Sequence, residues 1–418
     1  MATSRSSGRL FLVGLAGYLM FWAAPANAQS KNSCLDCHSN LPEPLGVSQE
    51  KFSHDIHGQK GLTCASCHGG DPTSDDPDKA MSRKAEWKGK IDRRQIPRLC
   101  GTCHSDPAYI RQFNPSLRTD QLSQYGTSVH GKRLAAGDTK VAVCTDCHSV
   151  HDLRAPADSQ STVNPVNVAK TCARCHAETS YMSEYKIPTS QFTEYGKSVH
   201  HEALVVRGDL GAPTCATCHG NHGATPPGFA SVANVCSTCH VFQAQLFDSS
   251  PHHAAFASAS LPGCVTCHSN HGILHPTDEL VGTNDKAVCM QCHTEGDAGF
   301  VAAGKMKQQL TLLSASIDKA DQILSRAEES GMEVSQAKLD LTQTKDVLTK
   351  ARVTVHGFDV ARMESDVKPG LETATKDYEA GTGAMAERNY RRVGLGISLV
   401  AIALVLAGLR LYLKRIES

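Results

Sequence analysis

The chain is poor in much of what an ordinary folded domain relies on. Aromatic side chains make up 5% of its 418 residues, so the bulky groups that dominate most cores are scarce. Neither sign of charge is in excess, with 42 basic and 42 acidic residues, which removes any electrostatic argument for a nucleic-acid partner. No cysteine is left over from one repeated pattern, so neither a disulfide framework nor a free thiol is expected.

That pattern is Cys-x-x-Cys-His, and its nine copies use all 18 cysteines. In chain order they are Cys34, Cys37 and His38; Cys64, Cys67 and His68; Cys100, Cys103 and His104; Cys144, Cys147 and His148; Cys172, Cys175 and His176; Cys215, Cys218 and His219; Cys236, Cys239 and His240; Cys264, Cys267 and His268; and Cys289, Cys292 and His293. Zinc or disulfide chemistry would have to explain why histidine follows the second cysteine every time. Covalent attachment of a c-type haem needs both thiols, for two thioether bonds, and the adjacent histidine as an iron ligand. The expected cofactors are therefore nine covalently attached c-type haems. From Cys34 to His293 the chain spends about 29 residues per motif, too few for a normal core, so the porphyrins are expected to supply most of the buried apolar surface.

The two ends suggest a compartment. Arg5 and Arg9 flank the start of an apolar run over 10–24, and Ala26-Asn27-Ala28 forms a small-x-small cleavage site, so residues 1–28 read as a secretory signal peptide. Residues 393–413 are apolar apart from Arg410, long enough for a hydrocarbon core of about 30 Å. A transmembrane helix is expected over 392–413 with a cytoplasmic tail at 414–418. The rest would lie on the periplasmic side of a bacterial inner membrane. Basic residues flank the span on both sides, so loop charge does not fix its orientation; the exported N-terminus does.

Between the ends runs a repeat. Phe52, Tyr125, Tyr195 and Phe247 each precede a histidine by five residues: His57, His130, His200 and His252. Each such lead histidine is followed by two motifs, giving haem-pair units from about 52, 125, 195 and 247. In the last three units another histidine stands three residues after the first motif's ligand, at His151, His222 and His271, whereas the first unit has Asp71 there. Motif one lies outside the scheme. Loops such as 69–78 and 226–228 are rich in Gly, Pro, Asp and Ser, which predicts irregular connections, with short helices around the motifs and almost no sheet.

The chemistry turns on the sixth position of each iron. Two histidines close an iron, while an open position permits catalysis. Twelve of the 21 histidines lie outside the motifs. The repeat supplies seven distal candidates, His57, His130, His200, His252, His151, His222 and His271. A histidine held on the near side of its own ring reaches a neighbouring haem more easily. Two further candidates, His54 and His356, would complete nine, with His201, His253 and His275 remaining available.

Residues 301–391 have no cysteine and carry apolar stripes at helical spacing. Leu310, Leu313, Ile317, Ala320 and Ile323 or Leu324 form one, and Val360, Met363, Val367, Leu371, Ala374 and Tyr378 another. Ser330-Gly331 reads as a break between helices, and Pro369-Gly370 as a kink or an end. The expected architecture is mainly α with extensive irregular loops: a nonahaem domain over 29–300, organised around covalently bound haems, a helical bundle or hairpin over 301–391, and one C-terminal transmembrane helix.

With these motifs the chain resembles the multihaem cytochromes c with doubled Cys-x-x-Cys-His motifs, including cytochrome c3-like proteins. More loosely it is similar to the superfamily of pentahaem nitrite reductase, octahaem tetrathionate reductase and hydroxylamine oxidoreductase. The resemblance covers about residues 34–390 and implies a long-helical region after the haems, with His356 placed like a histidine that ligates iron from it. Nitrite reductases of that group carry one motif ending in lysine, and all nine here end in histidine. The sequence reading is therefore a membrane-anchored periplasmic electron-transfer protein of anaerobic respiration. It would pass electrons between a quinol-oxidising membrane partner and periplasmic or outer-membrane acceptors. The alternative is an oxidoreductase acting on a small nitrogen or sulfur compound at one five-coordinate haem, for which motif one is the candidate.

Overall fold

A computed structural model describes residues 31–227 and 235–417. The leader assigned to residues 1–28 lies outside them, as do Gly228 of the 226–228 loop and Ser418 of the tail. Among the described residues there is no strand, and the architecture is helical throughout.

The first two-thirds consist of short helices joined by turns. Most motifs lie on one, as in Cys64–His68, Ile96–His104, Cys144–His148, Pro165–His176, Cys215–His219 and Gly263–His268. In motifs seven and nine the histidine itself lies off the helix, although Cys236 of motif seven lies on one. His240 is exposed and lies outside a helix, directly before Val241–Asp248, and His293 follows the tight turn Val288–Gln291. Each lead histidine opens a second kind of helix: Ile56–Gln59, Val129–Ala135, Val199–Val205 and Pro251–Ser258. In the first three a polar residue in extended conformation sits before the helix and caps it. Asp55 accepts from the His57 N–H, Ser128 from Gly131 and Ser198 from His201. The aromatic residue five before the lead histidine ties the helix to its motif: the Tyr125 and Tyr195 hydroxyls donate to the carbonyls of Ala142 and Pro213, at 2.8 and 2.9 Å. Both acceptors lie two residues before the first cysteine of the following motif.

The repeat units are also joined backbone to backbone. The N–H groups of Ile56, Val129 and Val199, each one residue before a lead histidine, donate to Leu153, Ala224 and Ile273 at 2.7, 3.1 and 2.9 Å. Each acceptor lies two residues beyond a plus-three histidine of the next unit. In the last unit Pro251 has no N–H to give. There Phe358, two residues beyond His356, stacks on His252 with ring centroids 3.9 Å apart.

Residues 298–416 form three helices, Ala298–Glu329, Ser335–Thr354 and Val360–Ile416, packed around one apolar core. The first stripe is buried as expected, with Leu324 rather than Ile323 in its last position. The helix ends at Ser330-Gly331: Gly331 takes φ +78°, and the Gly331 and Met332 N–H groups donate to Glu328 and Ala327, the double closure that a left-handed residue permits. Two expectations for the third helix are corrected. It runs unbroken through Pro369. Its buried face is Met363, Val367, Gly370, Ala374, Asp377 and Gly381, while Tyr378 is exposed. Spacing that alternates four and three residues keeps one seam toward two partner helices. A side chain at Gly370 would meet Val347 and Leu313, and one at Gly381 would meet Ile323.

The third helix continues past the bundle as the single helix of the described residues long and apolar enough to cross a membrane, and that stretch is wholly exposed.

Candidate metal centres built from paired histidines

Eight of the nine motif histidines face a second histidine ring. His57 faces His104, His151 faces His68, His130 faces His176 and His222 faces His148. Further along, His200 faces His240, His271 faces His219, His252 faces His293 and His356 faces His268. Centroids are 5.9–6.3 Å apart throughout. Metal–imidazole bonds are about 2 Å long, so two imidazoles on opposite sides of one ion have centroids roughly 6 Å apart. The spacing fits an iron between them, and the two thiols beside one member of each pair fit attachment of its porphyrin. His240 keeps this spacing, at 6.3 Å from His200, although no helix carries it.

The pairing follows a rule. A lead histidine faces the second motif of its own unit: His57 meets His104, and His252 meets His293. A plus-three histidine reaches back to the first motif of the unit before: His151 meets His68, His222 meets His148, His271 meets His219. Motif eight has no later unit, and there His356 takes the place, from the turn Val355–Gly357 between two bundle helices.

Local backbone explains why a plus-three histidine leaves its own motif. The residue after the motif histidine has positive φ in all four first motifs of the units: Gly69 at 69°, Ser149 at 70°, Gly220 at 81° and Ser269 at 66°. The turn ends the helix and throws the chain away from its own ring. Ser149 and Ser269 also have ψ of −177° and −176°, a conformation nearly reserved for glycine, costing about 1–3 kcal/mol each.

The two kinds of pair differ in ring orientation. Pairs made by plus-three histidines or His356 have interplanar angles of 36°, 8°, 10° and 20° in chain order. Those made by lead histidines have 84°, 56°, 44° and 79°. The smaller angles thus belong to the plus-three and His356 pairs and the larger to the lead pairs, with His151–His68 at 36° and His200–His240 at 44° standing close together.

Several rings are oriented through Nδ1, leaving Nε2 toward the partner, the usual arrangement behind a metal-bound histidine. His68 Nδ1 lies 3.0 Å from the Gly89 carbonyl, His219 Nδ1 3.2 Å from Thr225 and His356 Nδ1 2.9 Å from Val353. His293 Nδ1 is 3.2 Å from Asp297, whose carboxylate also caps the first bundle helix at Phe300. In several of these imidazoles burial favours the neutral form, the one a metal needs. It lowers His148 to about 4, with the facing His222 contributing, and it lowers His104, His130, His268 and His356.

Consecutive motifs are neighbours in space, in sequence order. Burial and the thiols of the next motif raise Cys34 through Cys64, Cys67 through Cys100 and Cys103, Cys218 through Cys239 and Cys267, to about 11, through Cys289. Contacts between thiols raise Cys100 against Cys144, Cys172 against Cys215 and Cys236 against Cys264. Burial, Asp146 and then Cys175 act likewise on Cys147. Every step from motif one to motif nine is represented. Within motif three, Cys100 meets the thiol of motif four and also acts on Cys67 of motif two, as Cys103 does more weakly; the Cys103 sulfur, half-buried on the helix Ile96–His104, lies 3.9 Å from the Thr102 hydroxyl.

Four non-motif histidines meet no motif ring. His54, expected as a distal ligand, is instead exposed at the end of the helix Gln49–His54. His201 and His253 lie edge-on to Tyr195 and Phe247, a repeat-related packing role that adjacency to a lead histidine already suggests. His275 is exposed, with Nδ1 near the Pro276 carbonyl. The motif histidine without a ring partner is His38; its Nδ1 lies 2.8 Å from the Leu45 carbonyl.

Comparison with known proteins agrees with this chemistry. Residues 50–149, which hold motifs two to four, match the family of cytochrome c7 and related cytochrome c. Residues 253–298, which hold motifs eight and nine, match the doubled CXXCH motif. No curated protein and no solved structure matches the chain. The two matches support a multihaem c-type cytochrome with covalently bound haem, and so electron transfer in general.

Proposed function

We propose that the chain is a membrane-anchored, periplasmic nonahaem cytochrome that conducts electrons along its haems in the order of its motifs. The observation that carries this reading is the unbroken neighbour relation from Cys34 to Cys292. A wire needs closely spaced centres, and paired histidines on eight of them leave substrates no coordination site there. In this assignment the motif histidines are proximal ligands, and His57, His130, His151, His200, His222, His252, His271 and His356 are distal. Each haem supplies a one-electron centre and the apolar surface its segment lacks; the protein orients the imidazoles and excludes water.

The bundle acts as a spacer. Motif nine, His356 and the start of the third helix lie at one end, where Asp278 pairs with Arg352 and Glu279 with Lys307. The opposite end, where Arg388 donates to Ser330, leads directly into the apolar segment. A helix of 32 residues spans about 48 Å. Direct oxidation of a quinol inside the bilayer is therefore disfavoured, and a separate quinol-oxidising subunit is the expected donor.

Proteoliposomes holding the purified holoprotein and a reduced quinone pool test this. Haem should stay oxidised with quinol alone and be fully reduced by a soluble low-potential donor added outside. Rapid reduction by quinol alone would overturn the spacer reading, and failure of the soluble donor to reach most of the haem would overturn the wire.

A further inference from the structure

Resting on that haem assignment, we infer that the haem at Cys34 and Cys37 keeps an open iron face that binds small neutral molecules such as nitric oxide or carbon monoxide, and that Asp71 both leaves it open and selects against anions. The repeat register carries the first part. Motifs two, four and six each take their opposing ring from the plus-three position of the first motif in the next unit. Motif one would draw on the plus-three position of motif two, and that residue is Asp71.

The segment that should bring the ligand is nonetheless in place. Ser33, directly before Cys34, donates from its N–H and Oγ to the Pro72 carbonyl, at 2.9 and 2.8 Å, and from Oγ to the Ser74 carbonyl at 2.7 Å. Asn32 reaches the Cys64 sulfur at 3.8 Å. The loop after motif two is thus fastened to motif one, with a carboxylate where the other units carry an imidazole. Asp71 accepts from the Thr73 N–H and hydroxyl at 2.9 and 2.7 Å, so it is held as an acceptor within its own loop. Among the described residues no other histidine ring lies against His38.

The surroundings set the ligand class. Asp36, Asp71, Asp75, Asp76 and Asp78 share this corner, while Lys31 and Lys79 are paired with Asp75 and Asp76. A negative field penalises an anion approaching the iron and is indifferent to a neutral diatomic. This turns the site away from the oxyanions considered from sequence.

The test uses the full-length holoprotein. Oxidised protein should show one high-spin haem per chain by electron paramagnetic resonance, and dithionite-reduced protein should bind one carbon monoxide per chain. Azide should bind the oxidised protein weakly and Asp71→Asn about ten-fold more tightly. Asp71→His should abolish both the high-spin signal and carbon monoxide binding. Nine low-spin haems and no carbon monoxide binding in the unaltered protein would overturn the open site while leaving the electron-transfer reading intact, and several high-spin haems would overturn both. Unchanged azide affinity in Asp71→Asn would overturn the role of Asp71.

Discussion

Residues 31–297 and the bundle from residue 298 solve the same problem, how to hide apolar surface, in two ways. The bundle does so with side chains: thirteen buried residues, twelve on its three helices and Val334 just before the second, form one cluster, with Leu313, Ala320, Leu324, Met363 and Val367 fully buried. Among the described residues the first region offers small clusters, Leu134 with Val141 and Val143, and Ala203 with Leu204 and Ala212. What recurs there from motif two onward is a histidine pair spaced for an iron. With so few apolar side chains in this region, covalently bound haem is expected to supply the missing bulk, which would tie the segment's stability to its cofactor.

The largest expected effect follows directly. Protein produced without haem attachment should lose the helices of 31–297 and keep those of the bundle, so limited proteolysis should leave a resistant fragment beginning near Ala298. A resistant haem-free N-terminal region would break the contrast. Within the bundle, Leu313→Ala should cost about 3 kcal/mol by opening a cavity at the centre of the core. Thermal unfolding followed by circular dichroism would show this, with the haem spectrum unchanged until that transition. At the junction of the two regions, His356→Met should raise the potential of one haem by on the order of 100 mV and leave the others in place. A redox titration with no displaced component would remove His356 from the ligand set. Ser149→Gly should stabilise the holoprotein by about 1 kcal/mol, since glycine accepts the backbone conformation that serine is forced into; an unchanged or lower Tm would contradict the strain. Subtlest is the spread of ring planes. Axial imidazoles that are parallel or crossed split the iron d orbitals differently, so low-spin signals should spread over several species, the most crossed pairs, His57 with His104 and His252 with His293, giving the largest principal g values. A single species would show that the haems re-orient the rings.

Which histidines enter the ring pairs was largely legible in the chain. The constant offset of Phe or Tyr to His57, His130, His200 and His252 located the lead histidines, and the plus-three spacing located His151, His222 and His271, because duplication copies ligands together with the segments that position them. His356, alone between two helical stripes, was legible from its isolation. His54 was chosen to complete the count of nine, and a count says nothing about where a helix end points; there it is exposed and meets no motif ring. The motif itself marked His240 but not its setting, since the loss of helix there is not written in five residues. In the bundle, the first stripe was read correctly since Leu and Ile mark it. In the third helix Met363, Val367 and Ala374 were read correctly, but Tyr378 is exposed, and Gly370, Asp377 and Gly381 occupy buried positions that hydrophobicity does not reveal.

The sequence by itself determined the covalent chemistry, the repeat and the helical periods, because thioether attachment, duplication and amphipathic spacing are local and leave a record in consecutive residues. Only the tertiary structure decided which histidine faces which. That choice depends on left-handed turns at Gly69, Ser149, Gly220 and Ser269 and on backbone bonds between units such as Ile56 to Leu153. These join residues about a hundred positions apart, and their partners are chosen by packing and not by spacing along the chain.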